Sequence, residues 1–588
     1  MSLRDRVRTE LAAALEACRA EGLFSGELPE VALERPRRPE HGDLATNVAL
    51  TLSKRAGKPP RAVAEALARA LSASKLLTGV EIAGPGFLNL RIAPAELVGL
   101  VSQIRRAGRE YGRGAPQGGP RILLEFVSAN PTGPVHLAHG RHAALGDALA
   151  RLLAFAGYDL EREFYVNDWG NQTRNLARSM WARYMEARGQ SVPFPEDGYH
   201  GDYIRDAGKA LAEEVGARYE AALEPENLDE IRDWALSRFL AWIKATLARF
   251  EVRFDQFRSE AELHHSGKVR ELLAALIAGG HTYEKDGARW LKAIELAGDE
   301  RDRVIEKSDG TLPYVLADIA YHLDKLERGF GRVIDIWGAD HHGHIPGIRA
   351  GLRAAGRDPA GFEVLLVQMV KLLRDGEEIK MSKRAGQLIT LDEILDEVGK
   401  DATRWFFLSR RHDASIDFDL ELAKKQTFDN PVYYVQYGHA RCCAILRRAF
   451  QLEPSLEGRM AGPADLSRLA LEDELAIVRR MADFPEDVAD AARALEPHRM
   501  VFFAYELAQS FQSYFTRLQK VHGDTILPQE RHRTGDWRAS WDWDKTLARL
   551  QWVEAIRMTL ANALAIVGIS APDRMDPPAS TEGIPEET

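Results

Sequence analysis

The sequence predicts a multidomain protein of the α/β plus all-α class. A small N-terminal α+β domain precedes a parallel-sheet α/β domain, and a helical bundle closes the chain. Three observations carry this prediction. The stretch from "RILLEFVS" to "LEREFYV" reads strand, loop, helix, strand, a βαβ unit that implies a parallel sheet. The Gly/Pro-rich connector "GRGAPQGGP", Gly112 to Pro120, divides that unit from what comes before. From about Phe428 the pattern changes to long apolar stripes at helical spacing.

Taken in order, residues 1–111 open on an amphipathic helix and later give "GVEIAGPGFLNLRIA", a strand, a Gly-Pro-Gly turn and a second strand. Residues 112–120 read as a flexible linker. Residues 121–427 form the α/β domain. In it "RILLEFVS" is a short apolar run typical of a buried strand, and a helix spans Leu137 to Phe155 with Leu145, Leu149 and Leu152 on one face and Gly157 as its C-cap. Further strands are "RVIDIWG" and "EVLLVQMVKLL", the latter ending at an Asp375-Gly376 hairpin turn. Residues 428–575 are the bundle. Its stripes are Leu471, Leu475 and Val478; then Leu507, Phe511 and Leu518; then Leu550, Val553, Leu560, Leu564 and Val567. Residues 576–588 are Pro-rich and acidic, the composition of a disordered tail.

Composition narrows the function classes. The chain of 588 residues is 45% hydrophobic and 28% charged, with a net charge of −10. No apolar run reaches the ~18 residues of a membrane span, and the charged N-terminus is not a secretion signal. The expectation is a cytoplasmic protein with no membrane partner. The three cysteines, Cys18, Cys442 and Cys443, form no C-x-x-C pair, so neither a zinc module nor a disulfide framework is expected. The negative balance argues against an overall basic nucleic-acid binder but leaves room for a local basic surface.

The chemistry-bearing motifs are spread along the α/β domain. "ANPTGPVHLAH" runs through Ala129, Asn130, Pro131, Thr132, Gly133, Pro134, Val135, His136, Leu137, Ala138 and His139. Its histidines stand at a helix start after a strand, where unpaired N–H groups and the helix dipole favour anions. The spacing alone fits an ordinary helix start, a phosphate grip or a metal pair. "KMSK", Lys380, Met381, Ser382 and Lys383, puts two lysines on a loop after a hairpin. They could embrace a triphosphate or simply be a solvated basic turn. "DHHGH", Asp340 to His344, has the composition of a metal loop, yet it follows a strand of an α/β sheet, where ligands bind.

The two signatures together resemble the HIGH and KMSK motifs of class I aminoacyl-tRNA synthetases, with Ala138 where the first usually has glycine. "EFVSANPTGPVHLAHGRHAALGDALARLL", "YVNDWGNQ", "DGYHGDYI", "KSDGTLPYVLADIAYHLDK", "WGADHHGHIPG", "KMSKRAG" and "NPVYYVQYGHARCCAI" extend the likeness over nearly the whole chain. They resemble the arginyl-tRNA synthetases of bacterial type. That resemblance implies a tRNA-contacting N-terminal domain, a Rossmann-like catalytic domain with insertions and a helical anticodon-binding domain. The implied reaction is ATP-dependent activation of L-arginine and its transfer to the terminal adenosine of tRNA(Arg). Magnesium would come with ATP, no tightly bound metal is expected, and the implied state is a monomer.

A related synthetase for cysteine would need Cys ligands to zinc, which this chain lacks. An inactive derivative would usually have lost a signature or a domain. The resemblance assigns His136, His139, Lys380 and Lys383 to catalysis, and residues 129–139 with Met381 and Ser382 to ATP. A guanidinium calls for a planar carboxylate partner. Candidates are Glu125 and Asp318, the latter sharing a helix face with Tyr314 four residues earlier. By resemblance Tyr314 and Asp318 line the guanidinium pocket, with Glu125, Asn130 and His342 completing the shell. For tRNA, Phe87 could stack on a base and Asn89 read its edge. Tyr437, Arg441 and Arg447 are the C-terminal candidates.

Overall fold

The computed structural model describes residues 2–36, 38–220, 224–379 and 389–576. The K-M-S-K signature, Lys380, Met381, Ser382 and Lys383, and nearly all of the tail thus lie outside the described residues.

The N-terminal domain begins with helix Leu3–Ala20, started by a Ser2–Asp5 capping box. It packs with helices Val48–Ala56 and Pro60–Leu71 on an antiparallel sheet ordered Leu44–Thr46, Phe87–Ile92, Leu77–Ala83. The predicted strand–turn–strand is the pair Leu77–Ala83 and Phe87–Ile92.

The central sheet has five parallel strands in the order Phe362–Val367, Arg332–Gly338, Ile122–Glu125, Leu160–Val166, Gln256–Ser259. Ile122, Leu123 and Leu124 are all buried, the mark of a strand covered on both faces. The chain fills the sheet outward from Ile122–Glu125 on one side, then returns to fill the other side from Arg332–Gly338. The order therefore reverses between those two strands. The crevice beyond their C-terminal ends is where such sheets bind ligands.

Two expectations need correction. "EVLLVQMVKLL" is two strands, Phe362–Val367 and Val370–Arg374, the second in a separate sheet with Glu377–Glu378 and Ile416–Asp419. The break at Gln368 and Met369 arises because their backbone groups bond elsewhere, Gln368 N–H to His412 O at 3.0 Å and Met369 O to Ile416 N–H at 3.3 Å. The linker is pinned rather than flexible. Gly114 N–H donates to Phe155 O at 2.9 Å and Gln117 N–H to Gly157 O at 2.8 Å. A Cβ on Gly112 would come 2.5 Å from the Phe484 ring, so that glycine serves close approach.

The bundle is built on helices Pro431–Leu452, Glu472–Ala494, His498–Lys520 and Trp543–Ile566. Fully buried Arg404 joins the parts: its Nη2 donates to Asp147 at 2.6 Å, Nε to Val567 O at 2.9 Å and Nη1 to Phe250 O at 3.1 Å. A guanidinium has enough donors to satisfy three elements at once, which offsets its desolvation.

Candidate active site

The strand Ile122–Glu125 delivers the chain to the crevice, and a sharp bend follows. Val127 and Ser128 take φ of 71° and 39°. For a β-branched valine this left-handed backbone is strained, a feature that clusters at functional sites. The bend is held by Ser128. Its hydroxyl donates to Glu125 Oε1 at 2.7 Å and accepts the Tyr165 N–H at 3.1 Å, while its carbonyl accepts from Asn167 Nδ2 at 3.1 Å.

The loop then runs through Asn130, exposed and donating to Gln172 Oε1 at 2.6 Å, into helix Leu137–Phe155. His136 is the N-cap residue, extended in backbone, and its ring stacks on that of His139 with centroids 3.7 Å apart. Both rings are half-buried at the start of a 19-residue helix. They border the positive end of the helix dipole, which makes such an end attractive to phosphate. Beside them, burial and the nearby Arg141 push His142 down to about 4, so it stays neutral.

Across the switch point, strand Arg332–Gly338 leads into the short 3₁₀ turn Ala339–His344. His342 is exposed there, with Nδ1 3.1 Å from Ala339 O. Among the described residues the histidines of this turn do not gather as metal ligands; the one grouping that could is His439, Cys443 and Asp573 in the bundle.

Helix Tyr314–Glu327 lies over the face of the sheet opposite to helix Leu137–Phe155 and carries half-buried Asp318 and exposed Tyr314. A row of carboxylates fixes it. Asp335, Glu125 and Glu163 stand side by side in register on three adjacent strands. Lys325, fully buried, reaches Glu125 at 2.5 Å and Asp335 at 2.9 Å. Arg328 binds Glu163 through two nitrogens at 2.5 and 2.9 Å, and the Tyr321 hydroxyl donates to it at 2.6 Å. His322 spans Asp335 Oδ2 at 2.8 Å and Asp318 O at 2.6 Å. Burial pushes the Glu125 carboxyl up, with the Lys325 ammonium opposing. Burial also works against the Lys325 charge, but Asp335 and Glu125 outweigh it and hold the ammonium charged.

The pocket between these elements is acidic. Burial raises the Tyr165 phenol, and the negative fields of Glu260, Asp318, Glu125 and Asp168 add to it. Glu260 is almost fully buried, and burial raises its carboxyl. A cation is the ligand this pocket suits. Glu260, Asp168, Tyr165 and Lys325 were not singled out from the sequence. Only Lys325 left a trace there, as an ionisable residue among the apolar positions of a helix.

The proposed tRNA contacts divide. Phe87 is 41% exposed, but Asn89 is only 7% exposed on the central strand of its sheet, so its amide is not offered to a base edge. Arg441 is 4% exposed and lies over the Phe515 ring, 4.4 Å from its centroid, which removes it from the surface. Tyr437 and Arg447 are half-buried, and Arg447 Nη1 donates to Asp573 O at 2.8 Å.

Comparisons with known proteins accord with this geometry. A family model for the arginyl tRNA synthetase N terminal domain matches residues 3–92. The class I (R) tRNA synthetase catalytic domain matches residues 101–417, and the DALR anticodon binding domain residues 435–575. The arginine–tRNA ligase of Geobacillus kaustophilus is 45% identical over 575 residues, 97% of this chain and 99% of that relative. That of Desulforudis audaxviator is 46% identical over 576 residues, 97% of this chain and 99% of the relative. In fold the chain resembles the Thermus thermophilus arginyl-tRNA synthetase structure, with a TM-score of 0.73 at 23% identity, over 97% of this chain and 100% of that one. No described helix is long and apolar enough to cross a membrane.

Proposed function

Because this chain belongs to the arginyl-tRNA synthetases and is an arginine–tRNA ligase, we propose that the two sides of the switch point divide the reaction. The His136–His139 pair and the helix start behind it hold the ATP phosphates, together with Lys380 and Lys383. Residues 129–139, Met381 and Ser382 shape the nucleotide site, and magnesium arrives with ATP as part of that substrate. Asp318 and Tyr314 take the arginine guanidinium, with Glu125, Asn130 and His342 around it.

The arginine carboxylate attacks the α-phosphorus, pyrophosphate leaves, and the arginyl group then passes to the terminal ribose of tRNA(Arg). No protein nucleophile takes part, so catalysis is positioning plus charge stabilisation. Residues 1–111 meet tRNA with Phe87 as the exposed aromatic, residues 121–427 carry the chemistry, and residues 428–575 take the anticodon with Tyr437 and Arg447 among the contacts. The working unit is a monomer in the cytoplasm.

The observation that supports the substrate side is the half-buried Asp318 carboxylate, with His344 3.8 Å away, on the helix that Lys325 ties to Glu125 at the end of strand Ile122–Glu125. Steady-state charging of tRNA with arginine, canavanine, citrulline and lysine tests it. Canavanine keeps the guanidino fork and should be accepted far better than neutral citrulline or single-ammonium lysine. Citrulline charged as well as canavanine would refute the acidic-pocket assignment.

A further inference from the structure

The helical insertion built from helices Asn171–Ala187, Asp202–Val215 and Pro225–Arg249 bears on the first signature loop in two ways, one direct and one through an intervening segment. In the first, the Tyr203 ring packs so closely on Gly133 that a Cβ there would lie 2.9 Å from it. In the other, the contact is indirect. The backbone of residues 389–391 pairs with that of 135–137: His136 and Thr390 form an antiparallel bridge, Leu137 N–H donates to Ile389 O at 3.2 Å, and Leu391 N–H donates to Val135 O at 2.8 Å.

The next residue, Asp392, is gripped by the insertion. Trp242 Nε1 donates to its Oδ2 at 3.1 Å and Thr246 Oγ1 to the same oxygen at 2.6 Å, while Arg249 Nη1 donates to Oδ1 at 2.6 Å. Three donors of three kinds converge on one carboxylate that faces no substrate. Two of them, the indole and the guanidinium, have fixed planes, so the carboxylate is fixed in orientation as well as position. What Asp392 fixes is the short backbone ladder that sets where His136 stands.

We propose that Asp392 is a positioning residue for the first signature, holding His136 through the 389–391 ladder, with Trp242, Thr246 and Arg249 of the insertion as its anchors. This rests on the reading of His136 as a phosphate ligand. The insertion thus bears on the loop from Gly133 to Leu137 at both ends, directly through Tyr203 and through Asp392 and the 389–391 ladder. A shift of about 1 Å in such a group can cost about a hundredfold in rate.

The test is a double-mutant cycle in arginine-dependent ATP–pyrophosphate exchange with tRNA present. It compares wild type, Asp392→Asn, His136→Ala and the double variant, with thermal unfolding of each. Asp392→Asn is expected to lower kcat about tenfold and to leave the arginine KM within about twofold, because Asp318 and Tyr314 sit on a helix that Asp392 does not touch. The double variant should be no more than about twofold below His136→Ala alone, since one residue acts through the other. Thr246→Val, which removes one donor at nearly constant volume, should show the same coupling at smaller size. It carries the cycle should Asp392→Asn fold poorly. A His136→Ala enzyme with wild-type kcat would sink the phosphate reading and this inference with it. A crippled His136→Ala enzyme whose loss simply multiplies with that of Asp392→Asn would sink the inference alone.

Discussion

Lys325→Met removes the ammonium that sits between two strands of the central sheet. The methionine keeps the length and apolar stem, so the change is chiefly one of charge. In the native protein Lys325 Nζ lies 2.5 Å from Glu125 and 2.9 Å from Asp335, with no exposure to solvent. Without it, two carboxylates in register on adjacent strands face each other in a buried layer. Losing one partner of a buried pair costs about 3–5 kcal/mol. Here Asp335 keeps His322 at 2.8 Å and Glu125 keeps the Ser128 hydroxyl at 2.7 Å. The expected loss is therefore in the lower part of that range, about 3–4 kcal/mol. For a domain of about 300 residues that is a fall in Tm of about 5–6 °C.

The same variant should depend on pH in a defined direction. Burial already raises Glu125, and Asp335 stays low because Lys325 and His322 outweigh its burial. Removing the ammonium drives both folded-state pKa values above their unfolded ones. Such carboxyls take up protons on folding, so the deficit is largest above their folded pKa values and shrinks as pH falls through them. Calorimetric unfolding at about pH 7.5 and about pH 5 checks this. A deficit under about 1 kcal/mol at the higher pH, or one of equal size at both, would show that Lys325 does not neutralise the row. Adding Glu125→Gln should recover part of the loss, since one of the two orphaned charges is then gone.

Three further outcomes follow from the site. Asp318→Asn should lower kcat/KM for arginine by ~2–4 kcal/mol, roughly thirty- to a thousandfold; charging within threefold of wild type would move the assignment to Glu125. His344 Nδ1 lies 3.8 Å from Asp318 Oδ2, and that carboxylate raises the imidazole above its ordinary 6.5. A guanidinium must displace the His344 proton. The arginine KM should therefore rise as pH falls through this pKa, by at most about tenfold per unit. His344→Gln should flatten the rise, and a wild-type KM constant from about pH 8.5 to about pH 6 would refute the competition. Truncation after Met575 removes one described contact, the 2.7 Å hydrogen bond from Tyr433 to Asp576 O. It should leave charging unchanged; a large loss would assign the tail a role in the reaction.

What could be read from the sequence was local. Helix Leu137–Phe155, the Asp375-Gly376 hairpin and the bundle stripes each depend on residues a few positions apart, so periodicity and turn chemistry suffice. The strand order does not. Strand Ile122–Glu125 lies beside Arg332–Gly338 because the sheet fills in two directions, and no spacing in the chain encodes that. The same holds for side-chain burial in the outer domains. Asn89 and Phe87 are two apart on one strand and point to the same face by periodicity, yet Phe87 is exposed near the strand's start and Asn89 is covered. Arg441 looked like a surface charge until Phe515, 74 residues later, was found beneath its guanidinium. Glycines 112 and 114 suggested flexibility, whereas their use is contact, with Phe484 and with the end of helix Leu137–Phe155.

The four carboxylates whose fields raise the Tyr165 phenol are not equivalent, and their partners say which one a substrate can reach. Glu125 is matched by Lys325 and Ser128. Asp168 accepts from Ser259 Oγ at 2.6 Å and from Ala261 N–H at 2.8 Å, so both its oxygens cap the helix that follows. Glu260 is nearly sealed from solvent, with His264 at 3.7 Å. Asp318 is half-buried like Asp168, but among the described residues its side chain has only His344 at 3.8 Å, beyond hydrogen-bond range. A carboxylate without a strong internal partner gains most from an arriving guanidinium, because no existing bond has to be broken except to water and that imidazole. The other three then act at a distance, making the pocket negative enough that a neutral urea gains little there. On the same reading the exposed Tyr314 ring, one helical turn before Asp318, would cover the flat face of the guanidinium. On the proposed reading, specificity for a planar cation follows from the weakly partnered Asp318 carboxylate, and the row beneath, through His322 on the Asp318 carbonyl, holds it in place.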